Sequence, residues 1–301
     1  MEKLFKDEPV VLVDAYALIF RAFYALPDFR NRDGQPTAAV HGFLSGLPKL
    51  AACAEDLAGA PPEFVIFFDR GGPQERLAAY ADYKANRPET PEDLKSQVPL
   101  IEEALAAMGL PQVAIHGVEA DDSIASVARA LESAGRRVLI ASNDKDFFQI
   151  LSDRIGLLRA TSRSDEMDYY DVGALKRKFG LAPEAMVDFY ALVGDKVDNV
   201  PGVKGIGEKT AEKLLKKYGT LDAVYANLER MPKATARCLS ANRDNAYLSR
   251  DLVRLRTDLE VDVTPSALDP ARFDRARLSA LLERLELRRL AERLLGLAVE
   301  R

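Results

Sequence analysis

Val10-Val11-Leu12-Val13-Asp14 is the stretch on which the fold turns: four apolar residues, mostly β-branched, running straight into a carboxylate. The pattern recurs. Glu63-Phe64-Val65-Ile66-Phe67-Phe68 runs into Asp69, and Val113-Ala114-Ile115 leads into Gly117-Val118-Glu119-Ala120-Asp121-Asp122. Arg137-Val138-Leu139-Ile140-Ala141 is followed by Asp144 and Asp146. Short continuous apolar runs, separated by helical patterns near 37–58, 95–108 and 122–134, predict parallel strands buried on both faces. The fold class is α/β, with a mostly parallel central sheet flanked by helices.

One acid after one strand is ordinary turn or cap chemistry. Acids after each of these strands would converge, because open parallel sheets place their sites in the crevice at the strands' carboxyl ends. A crowd of carboxylates repels itself unless a cation sits on it, and hard divalent cations take oxygen ligands. The hexapeptide Gly117–Asp122 alone stays ambiguous: it reads equally as a helix start with Asp121 as N-cap and acids at the positive end of the dipole.

The composition narrows the classes. The 301 residues suffice for one large domain or two modest ones, and 48% hydrophobic with 30% charged residues suits a soluble globular chain. No apolar run approaches a membrane span, and the polar stretch Met1 to Pro9 is not a secretory signal. Two distant cysteines, Cys53 and Cys238, exclude a disulfide framework and a thiolate zinc site, and point to a reducing cytosol. That His41 and His116 are the only histidines argues against His-rich metal sites and leaves few candidates for a Ser-His pair. The net charge of −5 speaks against a nucleic-acid partner. Setting aside the nine carboxylates that a resemblance given below assigns to a metal-binding cluster turns −5 into +4 for the remainder, which permits a basic surface.

Between Asp69 and Val98 the chain changes character. Arg70-Gly71-Gly72-Pro73 breaks structure, then Arg76, Tyr80, Tyr83, Lys84 and Arg87 interleave cations with aromatics, which suits phosphate contact and base stacking. The alternative is an exposed loop with snorkelling side chains. Residues 160–175, with Thr161-Ser162-Arg163-Ser164-Asp165, read as a turn and then a helix start, and the chain is helical from about 174. Asp195 and Asp198 are three apart, on one face if helical. Pro201 to Ala211 is nearly a P-loop but has Glu208 where Lys belongs, and its glycines at 202, 205 and 207 do not form GxGxxG. What remains is a glycine hairpin opening a helix, whose free amides can bind phosphate amid Lys204, Lys209, Lys213, Lys216 and Lys217. The alternative is a helix–turn–helix connection with a solvated lysine face. Phe273 to Leu297 reads as an amphipathic helix pair closing the core.

The blocks VLVDAY, VIFFDRGG, YADYKANRPETPEDL, HGVEADD, ASNDKDFFQIL and LVGDKVDNVPGVKGIGEKTAEKLL, continuing through LVRLRTDLEVD and LERLELRRLAERLL, resemble the 5′-nuclease domain of bacterial DNA polymerase I, in the flap-endonuclease and 5′-3′ exonuclease superfamily. The resemblance covers nearly the whole chain. It implies a PIN/resolvase-like core over 1–173 with a helical arch at about 70–98. It also implies an all-α DNA-binding subdomain over 174–301 with a helix–hairpin–helix at about 190–217. It implies a divalent-metal phosphodiesterase cutting DNA at 5′ flaps, RNA-primer or nicked ends by two-metal catalysis with Mg²⁺ or Mn²⁺. Asp14, Asp69, Glu119 and Asp121 would form the first site and Asp144 lie between the two. Asp146, Asp195 and Asp198 would serve the second, with Asp122 in the same cluster. Lys84 and Arg87 would act on the reacting phosphate. Arg76 and Tyr83 would lie near the strand path, and Arg21 would face DNA. Gly202, Lys204, Gly205, Gly207, Lys209 and Thr210 would grip duplex backbone, with a K⁺ on the hairpin carbonyls. Ala15, Val118 and Glu75 depart from the family pattern, the last two at positions of strand entry.

The partner expected is DNA with a 5′ end or flap, or an RNA/DNA hybrid. The chain is expected to be a cytoplasmic monomer, with no membrane, either linked to or cooperating with a DNA polymerase. A haloacid-dehalogenase-type phosphomonoesterase would need a second Asp two positions after the first, where Tyr16 stands. A non-catalytic DNA-binding module would leave the acid set without a purpose. An RNA-directed nuclease would leave the 202–211 hairpin unexplained.

Overall fold

Val10 to Val13 have no exposed surface, because strand β1 (Val10–Asp14) lies in mid-sheet with apolar layers on both sides. The computed structural model describes residues 8–161 and 167–296. The readings that fall on Met1–Asp7, on 162–166 and on 297–301 therefore lie outside the described residues. β1 pairs in parallel with β2 (Glu63–Phe67) on one side and β4 (Val138–Ala141) on the other. β3 (Gln112–Val113) adds in parallel to β2, and β5 (Ile155–Ala160) to β4. Two antiparallel additions close the edges: β6 (Met167–Tyr170) on β5 and the two-residue β7 (Ser266–Ala267) on β2. The order is β3-β2-β1-β4-β5-β6.

Side chains alternate across each strand and so divide the core. Val11, Val13, Phe64 and Ile66 face α1 (Ala15–Ala25), α2 (Ala38–Ala58) and, further on, α5 (Val98–Ala107). Between β2 and α5 lie only α3 (Gln74–Ala79), a series of turns and α4 (Glu92–Lys95). The expected arch over about 70–98 is thus, in this structure, two short helices joined by turns. Val10, Leu12, Val65 and Phe67 face α6 (Ala120–Ser133) and the helices that follow the sheet. Those are α7 (Val172–Phe179), α8 (Met186–Val193), α9 (Glu208–Tyr218), α10 (Leu221–Ala226), α11 (Lys233–Ala241) and α12 (Arg243–Val253).

The last two helices, α13 (Arg275–Arg284) and α14 (Arg288–Leu295), leave that group. Leu278, Leu282, Leu290 and Leu294 pack on the α2/α5 face instead. The Asp274 amide bonds the Ala107 carbonyl at 2.7 Å, and Asn31 reaches the Arg284 carbonyl at 3.1 Å. The helix pair closes the core, as its leucine spacing predicts.

Two local readings are corrected. The stretch after 166, read as a turn leading to a helix, is strand β6: Met167 and Tyr169 pack toward the α2 side, and the chain turns helical only at Val172. The N-cap of α6 is Glu119, in extended conformation, not Asp121; Asp121 and Asp122 sit in the first turn.

Candidate active site

The expected acids up to Asp146 sit where a strand ends or a helix begins, whereas Asp195 and Asp198 lie in a turn after α8 rather than on a helical turn. Asp14 closes β1 and caps α1, accepting the Ala17 amide at 3.1 Å and the Ser142 hydroxyl at 2.7 Å. Asp69, two residues past β2, accepts the Ala120 amide at 2.8 Å, tying the β2 end to the start of α6. Beyond β4, Ser142 also accepts the Asp144 amide, and Asp144 accepts the Asp146 amide at 2.8 Å. Adjacent β2, β1 and β4 therefore bring these groups to one crevice. Asp14, Asp69, Glu119, Asp121 and Asp144 line a cavity of about 580 Å³ with Lys84 and Arg87.

Burial and mutual repulsion dominate its electrostatics. Burial, then Asp69 and Asp144, push Asp14 up to about 6, against the pull of Ser142 and Ala17. Burial with neighbouring carboxylates holds Asp121 and Asp146 well above the usual range and raises Asp144. Burial also raises Asp69. Asp195 is the exception. Burial opposes its ionisation, but the Lys145 ammonium and the Val197 amide outweigh it and hold Asp195 low.

Cations fill the cluster. Lys84 pairs with Glu119 and lies 3.8 Å from Asp198; Arg87 bonds Asp198 at 2.6 and 2.9 Å. Among the described residues no three acids stand close enough to hold a metal as they are. The donor set nevertheless suits a hard cation: crowded carboxylates, with Asp146 Oδ1 buried and without a hydrogen-bond partner.

A group whose folded-state pKa is raised stabilises the fold fully below its unfolded value, near 3.8, and loses that contribution as pH rises through the folded value. For Asp14 the loss runs up to and through about 6. The metal-free protein should therefore melt higher at pH 5 than at pH 8. Asp121→Asn should raise its pH 8 melting temperature, by about 2–4 °C per kcal/mol of repulsion relieved. Thermal melts in chelator check this; an Asp121→Asn variant melting below wild type at pH 8 counts against repulsion as the cause.

The structure separates four expected site residues, Asp122, Arg76, Tyr83 and Arg21, from this cavity. Asp122 turns away and is forked by Arg76 at 2.6 and 2.9 Å, so its oxygens face a cation of the chain rather than the crevice. Arg76 itself is buried and fully paired, unlike a side chain awaiting a nucleic acid. Tyr83 is 6% exposed with its hydroxyl 3.5 Å from Glu119, so its ring offers no stacking platform. Arg21, on α1, donates to the Thr161 carbonyl at 2.8 Å and lines a separate cavity with His41 and Met167. Four neighbours went unremarked in the sequence: Ser142, Asn143, Lys145 and Asn199. The first three lie inside the ASNDKD block, where the hydroxyl directly after a strand was the available signal. Asn199, at φ 57°, donates to the Asp82 carbonyl at 2.7 Å, and the Lys84 amide bonds the Asp198 carbonyl at 2.9 Å. The 82–87 turn is thereby docked on the Asp198 segment.

The hairpin follows α8. Asp195 and Val200 exchange backbone hydrogen bonds, and Gly194 and Gly202 pack backbone to backbone. The Gly202 amide is bonded by the fully buried Ser249 hydroxyl at 2.9 Å. Gly205 and Gly207 are exposed, with Lys204 and Lys209, and Thr210 is half-buried. Gly202 has φ 61°, and a Cβ there would meet the Gly194 nitrogen at 2.5 Å. Gly202→Ala should cost about 1–3 kcal/mol and weaken duplex binding, read by chemical denaturation and fluorescence titration. Unchanged stability would mean the crossing tolerates a methyl.

A sheet with acids in its carboxyl crevice, followed by a helical hairpin domain, defines a resolvase-like nuclease fold. Residues 9–180 match the 5′-3′ exonuclease N-terminal resolvase-like domain, and residues 181–276 match the 5′-3′ exonuclease C-terminal SAM fold. The chain belongs to the 5′-3′ exonuclease family. It is 37% identical over 279 residues to a 5′-3′ exonuclease of Aquifex aeolicus, covering 93% of this chain and 92% of that one. It is 43% identical over 279 residues to the thermostable DNA polymerase I of Thermus aquaticus and 41% over 300 to DNA polymerase I of Pseudomonas aeruginosa. These matches cover 92% and 97% of this chain, which spans 32% of each polymerase. In solved structures, T5 5′-exonuclease with bound zinc superposes with a TM-score of 0.68 at 21% identity, over 96% of this chain and 99% of that one. The catalytic core of Rad2 in complex with DNA substrate gives 0.64 at 17%, over 96% and 93%.

Proposed function

We propose that the chain hydrolyses DNA phosphodiester bonds at 5′ ends and 5′ flaps, RNA-primed or nicked ends included, in replication and repair. The observation that carries this is the convergence of acids from separate strand ends on one crevice, with their ionisation suppressed by burial and mutual repulsion. Asp14, Asp69, Glu119 and Asp121 would hold one Mg²⁺ or Mn²⁺, Asp146, Asp195 and Asp198 a second, with Asp144 between them. Cations held there would supply an activated hydroxide and stabilise the leaving 3′-oxygen.

The chain's own residues do the rest. Ser142 and the Ala17 amide fix Asp14, and the Ala120 amide fixes Asp69, so the cluster is set before substrate arrives. Lys84 and Arg87 lie among the acids as internal counter-ions. Cations occupying the acids would leave both side chains to meet the reacting phosphate. The docking of residues 82–87 on Asp198 holds them at the cavity.

In this reading residues 1–173 cut and 174–301 bind. Gly205, Gly207 and Thr210, with Lys204 and Lys209, meet duplex phosphates. A K⁺ would sit at the turn, a reading supported by the carbonyls of Gly202, Lys204 and Gly205, which among the described residues accept no backbone hydrogen bond. The chain would work as a cytoplasmic monomer beside a DNA polymerase, within one polypeptide or with a separate partner. No helix among the described residues is long and apolar enough to cross a membrane. The test is cleavage of a 5′-labelled flap duplex with and without Mg²⁺: metal-dependent release of short 5′ products is expected, and a flap left intact in Mg²⁺ and in Mn²⁺ overturns the reading.

A further inference from the structure

We propose that Arg76 is a positioning residue that orients Glu119 from the backbone of residues 252–254, with Asp122 as its counter-ion rather than a metal ligand. The proposal rests on the nuclease reading of the crevice. All five N–H donors of this guanidinium are used. Nε donates to the Leu252 carbonyl at 2.8 Å. Nη1 donates to Glu119 and, at 2.6 Å, to Asp122 Oδ2. Nη2 donates to Asp122 Oδ1 and to the Arg254 carbonyl, each at 2.9 Å. With 11% of the side chain exposed, no donor is left for a nucleic-acid strand. Glu119 is thus held between Arg76 on one oxygen and Lys84 on the other.

The anchor is stiff. Past α12 the chain is irregular, yet its backbone groups are bonded to core side chains. Gln149 takes both the Val253 carbonyl and the Leu255 amide, at 2.9 and 3.0 Å. Asp122 accepts the Arg256 amide at 2.9 Å, and Ser126 bonds the Arg256 carbonyl and the Leu259 amide, each at 3.2 Å. α12 also carries Ser249, which bonds the hairpin's Gly202. Hairpin, α12, Arg76 and Glu119 therefore form one bonded line, so the element proposed to grip duplex also sets a carboxylate of the crevice. Lysine cannot replace Arg76 here, because a point ammonium has three donors and no fork.

Arg76→Lys, Asp122→Asn and the double variant R76M/D122L test this in the full chain. The readouts are single-turnover flap cleavage at saturating enzyme in Mg²⁺, flap affinity in Ca²⁺, and calorimetric Mn²⁺ titration without DNA. For Arg76→Lys the expected results are a cleavage rate lowered about 10- to 100-fold, one Mn²⁺ site weakened by a similar factor, and flap affinity within about threefold. Asp122→Asn should still bind two Mn²⁺ ions. The double variant removes both buried charges together, so it keeps the fold while sharing the Arg76→Lys defects. Flap affinity falling as far as the rate in Arg76→Lys would make Arg76 a DNA contact and overturn the proposal. Loss of one Mn²⁺ in Asp122→Asn would make Asp122 a ligand and overturn it too. A wild-type chain that binds Mn²⁺ but cuts nothing sinks the nuclease reading, while the titrations still decide what Arg76 positions.

Discussion

Asp144→Ala yields a chain that folds and binds flap DNA but cuts it at least about 10³-fold more slowly, and Asp14→Ala does the same. Each 1.4 kcal/mol of lost transition-state stabilisation is a factor of ten, and a missing metal contributes several such steps. Folding survives because neither side chain supports the apolar core. Among the described residues the Asp144 side chain bonds only the Asp146 amide, and Asp14 offers a helix cap and one hydroxyl contact while adding repulsion of its own. The check is single-turnover cleavage in Mg²⁺ alongside circular dichroism and flap affinity. Cleavage within tenfold of wild type in either variant would refute the proposed role of the crevice.

Lys84→Ala is expected to lower the chemical rate about 10²- to 10³-fold while changing flap affinity less than threefold. The residue adopts a left-handed backbone, φ 58°, held by the Asp198 carbonyl, and its ammonium is buried against Glu119 over the Tyr83 ring. Burial opposes its charge, yet Glu119, Tyr83 and Asp198 hold its pKa above the ordinary lysine value, so it stays a cation throughout the working range. A buried cation beside the reacting phosphate acts on developing charge more than on encounter. Single-turnover rates at saturating enzyme separate the two, and a defect cured by raising the enzyme concentration would assign Lys84 to binding instead.

How much of this could be read in the residues depends on how local each signal is. β1, β2 and β4 announce themselves as unbroken apolar runs because both faces are covered, and their terminal acids follow directly. β3 shrinks from the expected Val113–Ile115 to Gln112–Val113, because it pairs only with the end of β2. β5 and β6 were not read: β6 is Met-Asp-Tyr-Tyr, half-buried at an edge, and its alternation is too short to stand out beside the charged run before it. β7 is two residues whose only reason to be a strand is the exposed edge of β2.

The site divides in the same way. Asp14, Asp69, Glu119, Asp121 and Asp144 were legible because topology alone brings strand ends together. Asp122 was not separable from Asp121 by type or spacing; one step along a helix turns a side chain by about 100°, and that rotation sends it to Arg76. Arg76 reads as a nucleic-acid contact in a basic, aromatic stretch. What makes it structural is a pair of carbonyls some 176 and 178 residues downstream, which no local pattern reveals.

The return of α13 and α14 to the α2/α5 face bears on any attempt to dissect the molecule. A fragment truncated after the sheet would uncover the flank where Leu278, Leu282, Leu290 and Leu294 now sit, and would strip β7 from the margin of β2. Bare apolar ground next to an unpaired strand invites self-association. A single cut after the sheet would therefore give an insoluble product, and grafting α13 and α14 back would cover only one flank, because α7 to α12 cover the other face of the sheet.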